Sequence, residues 1–408
     1  MIGQVILAAV ADPKSADTGH IQRWDLSTGV SLGTPLKEFY AESSTNPVAL
    51  YPPNTLLHSW ALSCLNTKNS SLNYHLIGKE RPVHRYFGQD RLCSLCISPD
   101  SSYLVAGNEE GKVMAWEIVS GEMVVFLEGA HLQRVTKATL TSDGEYLVTS
   151  SADGTVKVWS WSALLAGEGS SMWNLDDHTD MVTDTHLGFG VDRNCRMATA
   201  CRDRQVRLYD LVDAHLLACF EFPSAVLKVK MTAAETLIFA ACEDGNIYII
   251  DLAADAGEIA EQSAVSYSQR SDRTRLAGHK SAVVSIELSM DEECLISGDA
   301  EGNVLIWNIS TRQIMRRLAA DGHVRWIGVV HKASFEAALD QKARLIAGQP
   351  KRAMSSVQSS WTVLVPELSM AKITTTTAQQ PATVVDTKEL DELRAGYSQL
   401  IDHIFAKY

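Results

Sequence analysis

Histidine, hydroxyl, acidic and tryptophan residues recur in a fixed order along this chain, and these are the residue types that could perform chemistry. The clearest set is His131, Thr149, Asp153 and Trp159. Such groups could serve catalysis or bind a metal. The tryptophan and the surrounding strand and turn pattern instead favour a buried hydrogen-bond relay that ties loops to strands. The sequence therefore predicts a structural role for this set.

Two further sets follow the same order with substitutions. They are His279, Ser297, Glu301 and Trp307 near residue 300, and His178, Thr199, Asp203 and Tyr209 near residue 200. The first has Glu where the clearest set has Asp, and the second has Tyr in place of Trp. A fourth repeat keeps Asp244 but has Ile250 at the tryptophan position, so we expect its relay to be lost.

The elements that position these residues repeat every roughly 41 to 57 residues, measured between tryptophan-equivalent positions. Each repeat reads as apolar, alternating strands separated by turns such as Ser142-Asp143-Gly144, the pattern of a four-stranded blade. We predict an all-β, seven-bladed β-propeller over residues 1–332. The strand 324–330 should complete the first blade, so that no sheet edge is left open.

Three segments depart from the repeat. Residues 253–275 form a polar insertion in blade six, and long loops on rigid folds are frequent partner sites. Residues 333–386 contain a threonine-rich stretch that predicts an irregular, flexible linker. Residues 387–407 predict an amphipathic helix with a coiled-coil seam, which either pairs two copies of the chain or docks on its own propeller. The seam residues are Leu390, Leu393, Tyr397, Leu400 and Ile404.

A basic cluster is the strongest candidate for contact with a partner or with RNA. It comprises Arg193, Arg196, Arg202, Arg204 and Arg207. We predict it around a turn at one rim of the propeller, where it could meet phosphates or an acidic segment. The alternative is a solvated turn in which these arginines pair with nearby acidic residues.

Composition excludes several functional classes. The net charge of −13 argues against a surface that binds nucleic acid throughout, and no apolar stretch is long enough to cross a membrane. Eight scattered cysteines favour a reducing compartment. Cys93 and Cys96 form an isolated C-x-x-C whose side chains should point to opposite faces of a strand, so we expect buried cysteines. The sequence predicts no metal site, cofactor or enzymatic activity.

More specific features are the segment His178 to Gly190 followed by Arg196-Met-Ala-Thr-Ala, the segment Gly278-His-Lys-Ser-Ala-Val, and the terminal helix. They resemble the family of WD repeat-containing protein 18 and its fungal counterpart, the WD-repeat propeller subunit of the rixosome. The resemblance covers most of the chain and is strongest from about Leu92 to Leu318.

The resemblance implies a non-catalytic scaffold in a nuclear complex that matures the large ribosomal subunit and removes the second internal transcribed spacer. Its expected partners are a large helical-repeat subunit, a testis-expressed-type subunit and a midasin-type AAA ATPase on pre-60S particles. It also implies a homodimer through the terminal helix, an indirect contact with rRNA, and a location in the nucleolus and nucleoplasm, with the cytoplasm left open. The competing interpretation is a substrate receptor or scaffold of a ubiquitin-ligase or chromatin-modifying complex.

Overall fold

A computed structural model of the chain describes residues 3–12, 15–32, 36–39, 48–51, 61–66, 71–76, 84–87, 91–118, 120–189, 195–255, 264–267 and 274–332. All of them belong to the compact unit Met1–Ala353. Within these residues the strands form seven sheets, and six of the sheets are described with their side chains. The predicted linker (333–386) and the predicted helix (387–407) lie outside the described residues.

The sheet that closes the ring combines the two ends of the propeller. It is ordered β29-β1-β2-β3, with β1 at Gln4–Asp12, β2 at Ser15–Asp25, β3 at Leu36–Phe39 and β29 at His323–His331. β29 runs antiparallel to β1, from the pair Gln4 and His331 to the pair Ala11 and His323. The residues 324–330 thus lie beside the N-terminal strand, and both strands are largely buried.

The next sheet is described mainly by its backbone. It comprises β4 (Val48–Tyr51), β5 (Ala61–Asn66), β6 (Ser71–Leu76) and β7 (His84–Phe87) in sequential antiparallel order. Its inner strand β4 contacts β8 (Leu92–Ile97) of the following sheet. The prediction of a seventh blade depends on this backbone pairing.

The other sheets are regular antiparallel blades. The first has β8, β9 (Tyr103–Asn108), β10 (Val113–Glu117) and β11 (Met123–Leu127). The His131 blade has β12 (Val135–Leu140), β13 (Tyr146–Ser151), β14 (Val156–Ser160), the short helix α1 (Trp161–Leu165) and β15 (Trp173–Leu175).

The remaining three blades follow the same order. The His178 blade has β16 (Val182–Leu187), β17 (Arg196–Cys201), β18 (Gln205–Asp210) and β19 (Leu216–Glu221). The insertion blade has β20 (Val226–Met231), β21 (Leu237–Cys242), β22 (Asn246–Asp251) and β24 (Arg275–Ala277). The His279 blade has β25 (Val283–Leu288), β26 (Cys294–Asp299), β27 (Asn303–Asn308) and β28 (Ile314–Ala319).

Local turn chemistry sets the register of the first hairpin in each of several blades. Thr141 donates a hydrogen bond to Asp143 and accepts one from the backbone N–H of Tyr146, at 2.5 and 3.0 Å. Ser289 donates to Asp291 and accepts from the N–H of Cys294, at 2.6 and 2.9 Å. A short polar side chain that bonds the backbone of its own turn fixes where the two strands meet.

Apolar side chains pack between neighbouring blades rather than on one side of a sheet. One cluster joins Val113, Val125 and Leu127 to Leu147 and Trp159 of the His131 blade. Because neighbouring blades cover the faces of the blades whose side chains are described, polar residues in the middle of a strand are also buried there, and burial then requires hydrogen-bond partners.

Part of the predicted polar insertion in blade six forms strands. Within 253–275, β23 (Val265–Ser266) adds a parallel fifth strand to β19 of the neighbouring His178 blade. Tyr267 is 2% exposed, stacks on Phe222 with ring centroids 5.3 Å apart, and donates a hydrogen bond to Asp255. The described part of the insertion is therefore anchored across two blades.

The helical content of the described residues is small. α1 begins after Ser160, whose hydroxyl accepts a hydrogen bond from the N–H of Ala163 at 3.5 Å. In the described part of the chain, no helix has the length and apolar character that a membrane crossing requires.

Candidate functional site

The His131 blade contains a continuous relay of side chains. Nε1 of Trp159 donates to Oγ1 of Thr149 at 2.9 Å, and Oγ1 of Thr149 lies 2.8 Å from Nε2 of His131. Nδ1 of His131 lies 3.0 Å from Oγ1 of Thr155, which donates to Asp153 at 2.7 Å. The structure thus brings the four predicted residues together and adds Thr155 between His131 and Asp153.

The direction of donation in this relay follows from the donor inventory. Thr155 gives its only hydroxyl hydrogen to Asp153, so it accepts from Nδ1 of His131, and Nδ1 therefore carries a hydrogen. We assign a neutral imidazole whose Nε2 accepts from Thr149, which in turn accepts from Trp159. Burial alone would raise the pKa of Asp153, but the His131 ring, 3.5 Å away, and the hydrogen bond from Thr155 hold this pKa well below its usual range.

The His279 blade has the same relay with one correction. Nε1 of Trp307 donates to Ser297 at 2.8 Å, and Ser297 lies 2.7 Å from Nε2 of His279. Nδ1 of His279 is 3.1 Å from a carboxylate oxygen of Asp299, which is fully buried. The prediction that Glu301 is the acidic member is wrong: Glu301 is exposed and offers its backbone N–H to Asp299 at 3.0 Å.

The cause of this correction is strand alternation. Ser297 and Asp299 are two residues apart on β26, so their side chains lie on the same face of the sheet and both reach His279. Glu301 follows the end of the strand and lies in the turn. Glu301 follows Ser297 by four residues, just as Asp153 follows Thr149, but this equal spacing does not put Glu301 on the face of the strand that meets His279.

The His178 blade departs from the pattern more strongly. Nε2 of His178 lies 3.0 Å from Oγ1 of Thr199, as in the other two blades. Its Nδ1, however, accepts a hydrogen bond from Arg207, whose guanidinium also donates to Asp203 at 2.9 Å. Tyr209, at the tryptophan position, donates to Asp177 at 3.1 Å rather than to the threonine.

This arrangement corrects the prediction for Arg207. It is 7% exposed and lies in the middle of β18, so it is part of the relay and is not a surface contact for RNA or a partner. Burial and the positive charge of Arg207 lower the pKa of His178. The pKa of Asp203 is also lowered because the hydrogen bond from Arg207 outweighs the effect of burial.

A metal ion is disfavoured at the group His178, Cys201 and Asp203, although their ligand atoms lie within 4.8 Å of one another. The guanidinium of Arg207 already bonds both His178 and Asp203, and a cation would have to displace it. Burial also raises the pKa of Cys201 to about 12, which disfavours the thiolate that metal binding requires.

The rest of the basic cluster does not form one patch. Arg196 begins β17, where it lies 3.8 Å from Glu235, whereas Arg202 and Arg204 are exposed in the turn after the other end of that strand. A six-residue strand separates these positions by roughly 20 Å. Arg193 lies outside the described residues. Among the members of the cluster that the structure describes, Arg202 and Arg204 lie together as exposed candidates for contact.

Arg204 has a conformational role that the sequence pattern conceals. Its φ is +71°, in the left-handed region, at the position where the turns of other blades have Gly154 (φ +82°) and Gly245 (φ +83°). A side chain in this region is uncommon and costs free energy. Arg204 therefore fills a turn position that is usually occupied by glycine.

The cysteine pair is not a redox site. Cys93 is buried and Cys96 is partly buried, and both are free thiols. Burial raises the pKa of Cys93 to about 12 and that of Cys96 to about 11, so neither is activated as a thiolate.

Sequence reasoning missed a charged cluster in the central channel. A cavity of about 170 Å³ is lined by residues from the innermost strand of every sheet, including Val48 and Ile327. Lys137 and Lys228 lie 2.9 and 3.5 Å from Asp184, and Lys230 lies 2.6 Å from Glu287. The alternation of Lys228 and Lys230 along β20 could have revealed this, because the innermost strands must turn alternate residues toward the channel.

The predicted dimer seam cannot be placed. Its five residues, Leu390, Leu393, Tyr397, Leu400 and Ile404, lie outside the part of the chain that the structure describes.

Comparison with known proteins gives a repeat family and a group of relatives. The family model "WD domain, G-beta repeat" matches residues 80–117, 122–160 and 270–308. The chain is 27% identical to WD repeat-containing protein 18 of Bos taurus over 324 residues, covering 78% of this chain and 71% of that protein.

Two fungal proteins are similar to the same degree. Identity is 27% with the pre-rRNA-processing protein IPI3 of Yarrowia lipolytica, covering 70% of this chain and 68% of that protein. It is also 27% with the pre-rRNA-processing protein crb3/ipi3 of Schizosaccharomyces pombe, covering 72% and 70%. The chain is thus an all-β propeller with WD40 repeats, and its homologues include these proteins.

Proposed function

We propose that this chain, a homologue of WD repeat-containing protein 18 and of fungal pre-rRNA-processing proteins, is a non-catalytic scaffold in pre-rRNA processing. The observation that carries the proposal is the extent of the similarity. Between 70% and 78% of this chain aligns with each of three relatives, and two of these are pre-rRNA-processing proteins. The similarity therefore extends well beyond the three segments that the repeat model matches.

The geometry of the relays supports a structural role. In the His131 and His279 blades, each member of the relay is bonded to another member inside the blade, so the relay side chains are engaged in holding the blade together. The sheet β4–β7 supplies one blade of a ring that we take to have seven. Rigid blades of this kind present loops and outer strands to other proteins.

Exposed apolar residues on the outer strands support protein binding. Met123, Val124 and Phe126 lie on β11, the outer edge of its blade, and Phe126 is 44% exposed. Trp173 on β15 is 38% exposed next to Met172. Apolar side chains on edge strands are a liability unless a partner covers them.

Within the proposed scaffold, the partners are those that the family resemblance implies. They are a large helical-repeat subunit, a testis-expressed-type subunit and a midasin-type ATPase on pre-60S particles. We place the complex in the nucleus, in keeping with pre-rRNA as its substrate. The step affected is removal of the second internal transcribed spacer.

Affinity purification of the tagged full-length chain from its own cells tests this function. We expect large-subunit precursor proteins and a large helical-repeat subunit among the co-purified proteins. Depletion of the chain should increase precursor rRNAs that retain the second internal transcribed spacer. Recovery of ubiquitin-ligase or histone-modifying subunits without pre-ribosomal proteins would favour the competing receptor function instead.

The terminal seam carries a separate proposal, that two copies of the chain pair through residues 387–407. The seam residues recur in steps of three and four, and an isolated helix of this length needs a surface to pack on. Leu393→Asp combined with Leu400→Asp should halve the mass in solution and leave the circular dichroism of the propeller unchanged. A wild-type chain that sediments as a monomer at tens of micromolar would exclude the dimer.

A further inference from the structure

A second cavity lies at one end of the central channel. It has a volume of about 200 Å³ and is lined by the last residues of β12 and β16 and by the loops that follow them. Lys137, Thr139, His186 and Lys230 line both this cavity and the channel cavity. The two lysines therefore stand at the boundary between the channel and its mouth.

The charges around this mouth are unequal. Lys137 and Lys230 line the mouth cavity, and no carboxylate does so among the described residues. Their carboxylate partners, Asp184 and Glu287, line the channel cavity. Across both cavities, Lys137, Lys228 and Lys230 outnumber these two carboxylates by one positive charge. An anion in the mouth would therefore meet two lysines, each of which also pairs with a carboxylate outside the lining of this cavity.

Two buried polar atoms at the mouth have no hydrogen-bond partner within the described residues. They are Oγ1 of Thr185, in a residue that is 0% exposed, and Nδ1 of His186. Buried polar groups are nearly always satisfied, so these two atoms are available to bond a group or a water molecule held in the cavity. Thr139, whose side chain also bonds Cys96, and Ser142 line the same cavity.

We propose that Lys137, Lys230, Thr139, Ser142, Thr185 and His186 bind a phosphate group at the mouth of the channel. Two ammonium groups and several hydroxyl donors match the charge and the oxygen acceptors of a phosphate dianion. The volume accommodates the group together with water. This site is independent of the proposed scaffold function, because it requires only the described side chains.

The source of the phosphate is either a free anion or a nucleotide. Phe189 is 62% exposed and lines the same cavity, so a base attached to the phosphate could stack on its ring. Titration calorimetry with inorganic phosphate, uridine 5′-monophosphate and uridine separates these sources. Phe189→Ala should weaken binding of the nucleotide only if the nucleotide is the source, and it should leave binding of inorganic phosphate unchanged.

Substitution of the two lysines is the main test. Lys137→Met and Lys230→Met should each weaken phosphate binding about tenfold or more, because a charge-assisted hydrogen bond is lost. Lys280→Met is the matched control, since it removes the same charge from an exposed lysine in the loop before β25, near the opposite end of the channel. It should bind phosphate as the wild type does.

Thr185→Val keeps the test decisive if a lysine variant fails to fold. Its hydroxyl has no partner in the described structure, so its removal should not lower the melting temperature without ligand, but it should weaken phosphate binding several-fold. If Thr185 has only a structural role, Thr185→Val should lower the melting temperature and leave phosphate binding unchanged.

Proton uptake gives an independent readout with sulfate as a non-titrating probe. Burial, together with the charges of Lys230 and Lys137, lowers the pKa of His186 well below its usual value. A bound dianion opposes these lysines, so sulfate binding near pH 6 should take up protons from the buffer. Absence of phosphate and sulfate binding by the wild-type chain at millimolar concentration would overturn the proposal, as would equal affinities in the Lys230→Met and Lys280→Met variants.

Discussion

The His131 and His178 blades share a hydrogen bond between a histidine and a threonine, but the donor and the acceptor are exchanged between the two blades. In both, Nε2 of the histidine meets a threonine hydroxyl, at 2.8 and 3.0 Å. In the His131 blade the donation runs from Trp159 toward Asp153. In the His178 blade Arg207 donates to Nδ1, so Nε2 must carry the hydrogen and donate to Thr199, whose hydroxyl donates on to the carbonyl of Arg207 at 3.3 Å.

The difference shows which part of the relay the fold requires. The contact between histidine and hydroxyl is present in three blades, and it joins a loop to the second strand of the blade. The link from the histidine to the acidic residue varies. His131 contacts Asp153 through Thr155, His279 contacts Asp299 directly, and His178 contacts Asp203 through Arg207. A buried network can therefore change its members as long as every donor and acceptor remains satisfied.

The largest expected difference is in which ring nitrogen of His131 and of His178 carries the hydrogen. We expect the neutral ring of His131 to carry it on Nδ1 and that of His178 to carry it on Nε2. Nitrogen-15 correlation spectra of the imidazole rings at neutral pH distinguish the two tautomers. If both residues have the same tautomer, hydrogen bonds are donated in the same direction in the two blades, and the proposed difference between them is wrong.

Asp203→Asn should cost the largest amount of stability, about 3 to 5 kcal/mol, because it leaves the buried Arg207 guanidinium without a carboxylate. The matched variant Asp153→Asn leaves no buried arginine and should cost about 1 to 2 kcal/mol. Urea unfolding monitored by tryptophan fluorescence measures both. Equal costs would mean that the ion pair between Arg207 and Asp203 adds nothing to the stability of its blade.

Substitution of the aromatic residue at the end of each relay should give smaller effects. Trp159→Phe removes both packing volume and the donor to Thr149, and we expect a loss of about 2 kcal/mol. Tyr209→Phe removes only the hydrogen bond to Asp177 and should cost about 1 kcal/mol. The reverse order, in the same unfolding experiment, would place Tyr209 inside the relay.

Acid should destabilise the His178 blade more than the His279 blade. Burial lowers the native pKa of both histidines from 6.5; the charge of Arg207 adds to this at His178, whereas Asp299 opposes it at His279. As the pH falls below 6.5, the unfolded chain therefore binds a proton at each histidine before the native chain does. Stability is full above pH 6.5 and falls as the pH decreases, by roughly 1 to 2 kcal/mol for His178 between pH 6.5 and 5.

Unfolding curves across this pH range, recorded for His178→Asn and His279→Asn, separate the two contributions. His178→Asn should flatten the pH dependence more than His279→Asn does. If the two variants depend on pH equally, Arg207 does not influence the protonation of His178.

The smallest effect is expected at the residue that the structure removes from the relay. Glu301→Gln should change stability by less than about 0.5 kcal/mol, because its side chain is exposed. Asp299→Asn should cost clearly more, since it replaces the acceptor of His279. A large effect of Glu301→Gln in thermal unfolding would restore the original assignment.

These residues show how far the sequence could predict the site. The relay of the His131 blade is readable because its four members occur in order around recognisable turns. Asp299 was missed because residue counting ignored the face of the strand. The arginines that precede Arg207 in the sequence suggest an exposed cluster. Arg207 lies in the middle of the third strand of its blade, however, and a residue there has neighbouring blades on both sides.

The fold was more readable than the charges inside it. Alternating strands and Asp-Gly turns predict blades, and the strand at 324–330 follows from the incomplete first repeat. The channel lysines gave a weaker signal, because a lysine on an alternating strand usually points to solvent. Only the assembled ring brings residues from distant repeats, such as Lys137 and Lys230, to one cavity.

The pairing of β29 with β1 has a consequence for synthesis of the chain. β1 pairs with β2 early, but it gains its second neighbour, β29, only after about 320 further residues have been made, which at about 5 to 20 residues per second takes roughly 20 to 60 seconds. During that interval an apolar strand edge emerges from the ribosome without its partner. We expect this nascent edge to be a target for chaperones and the point at which production of the protein is most prone to aggregation.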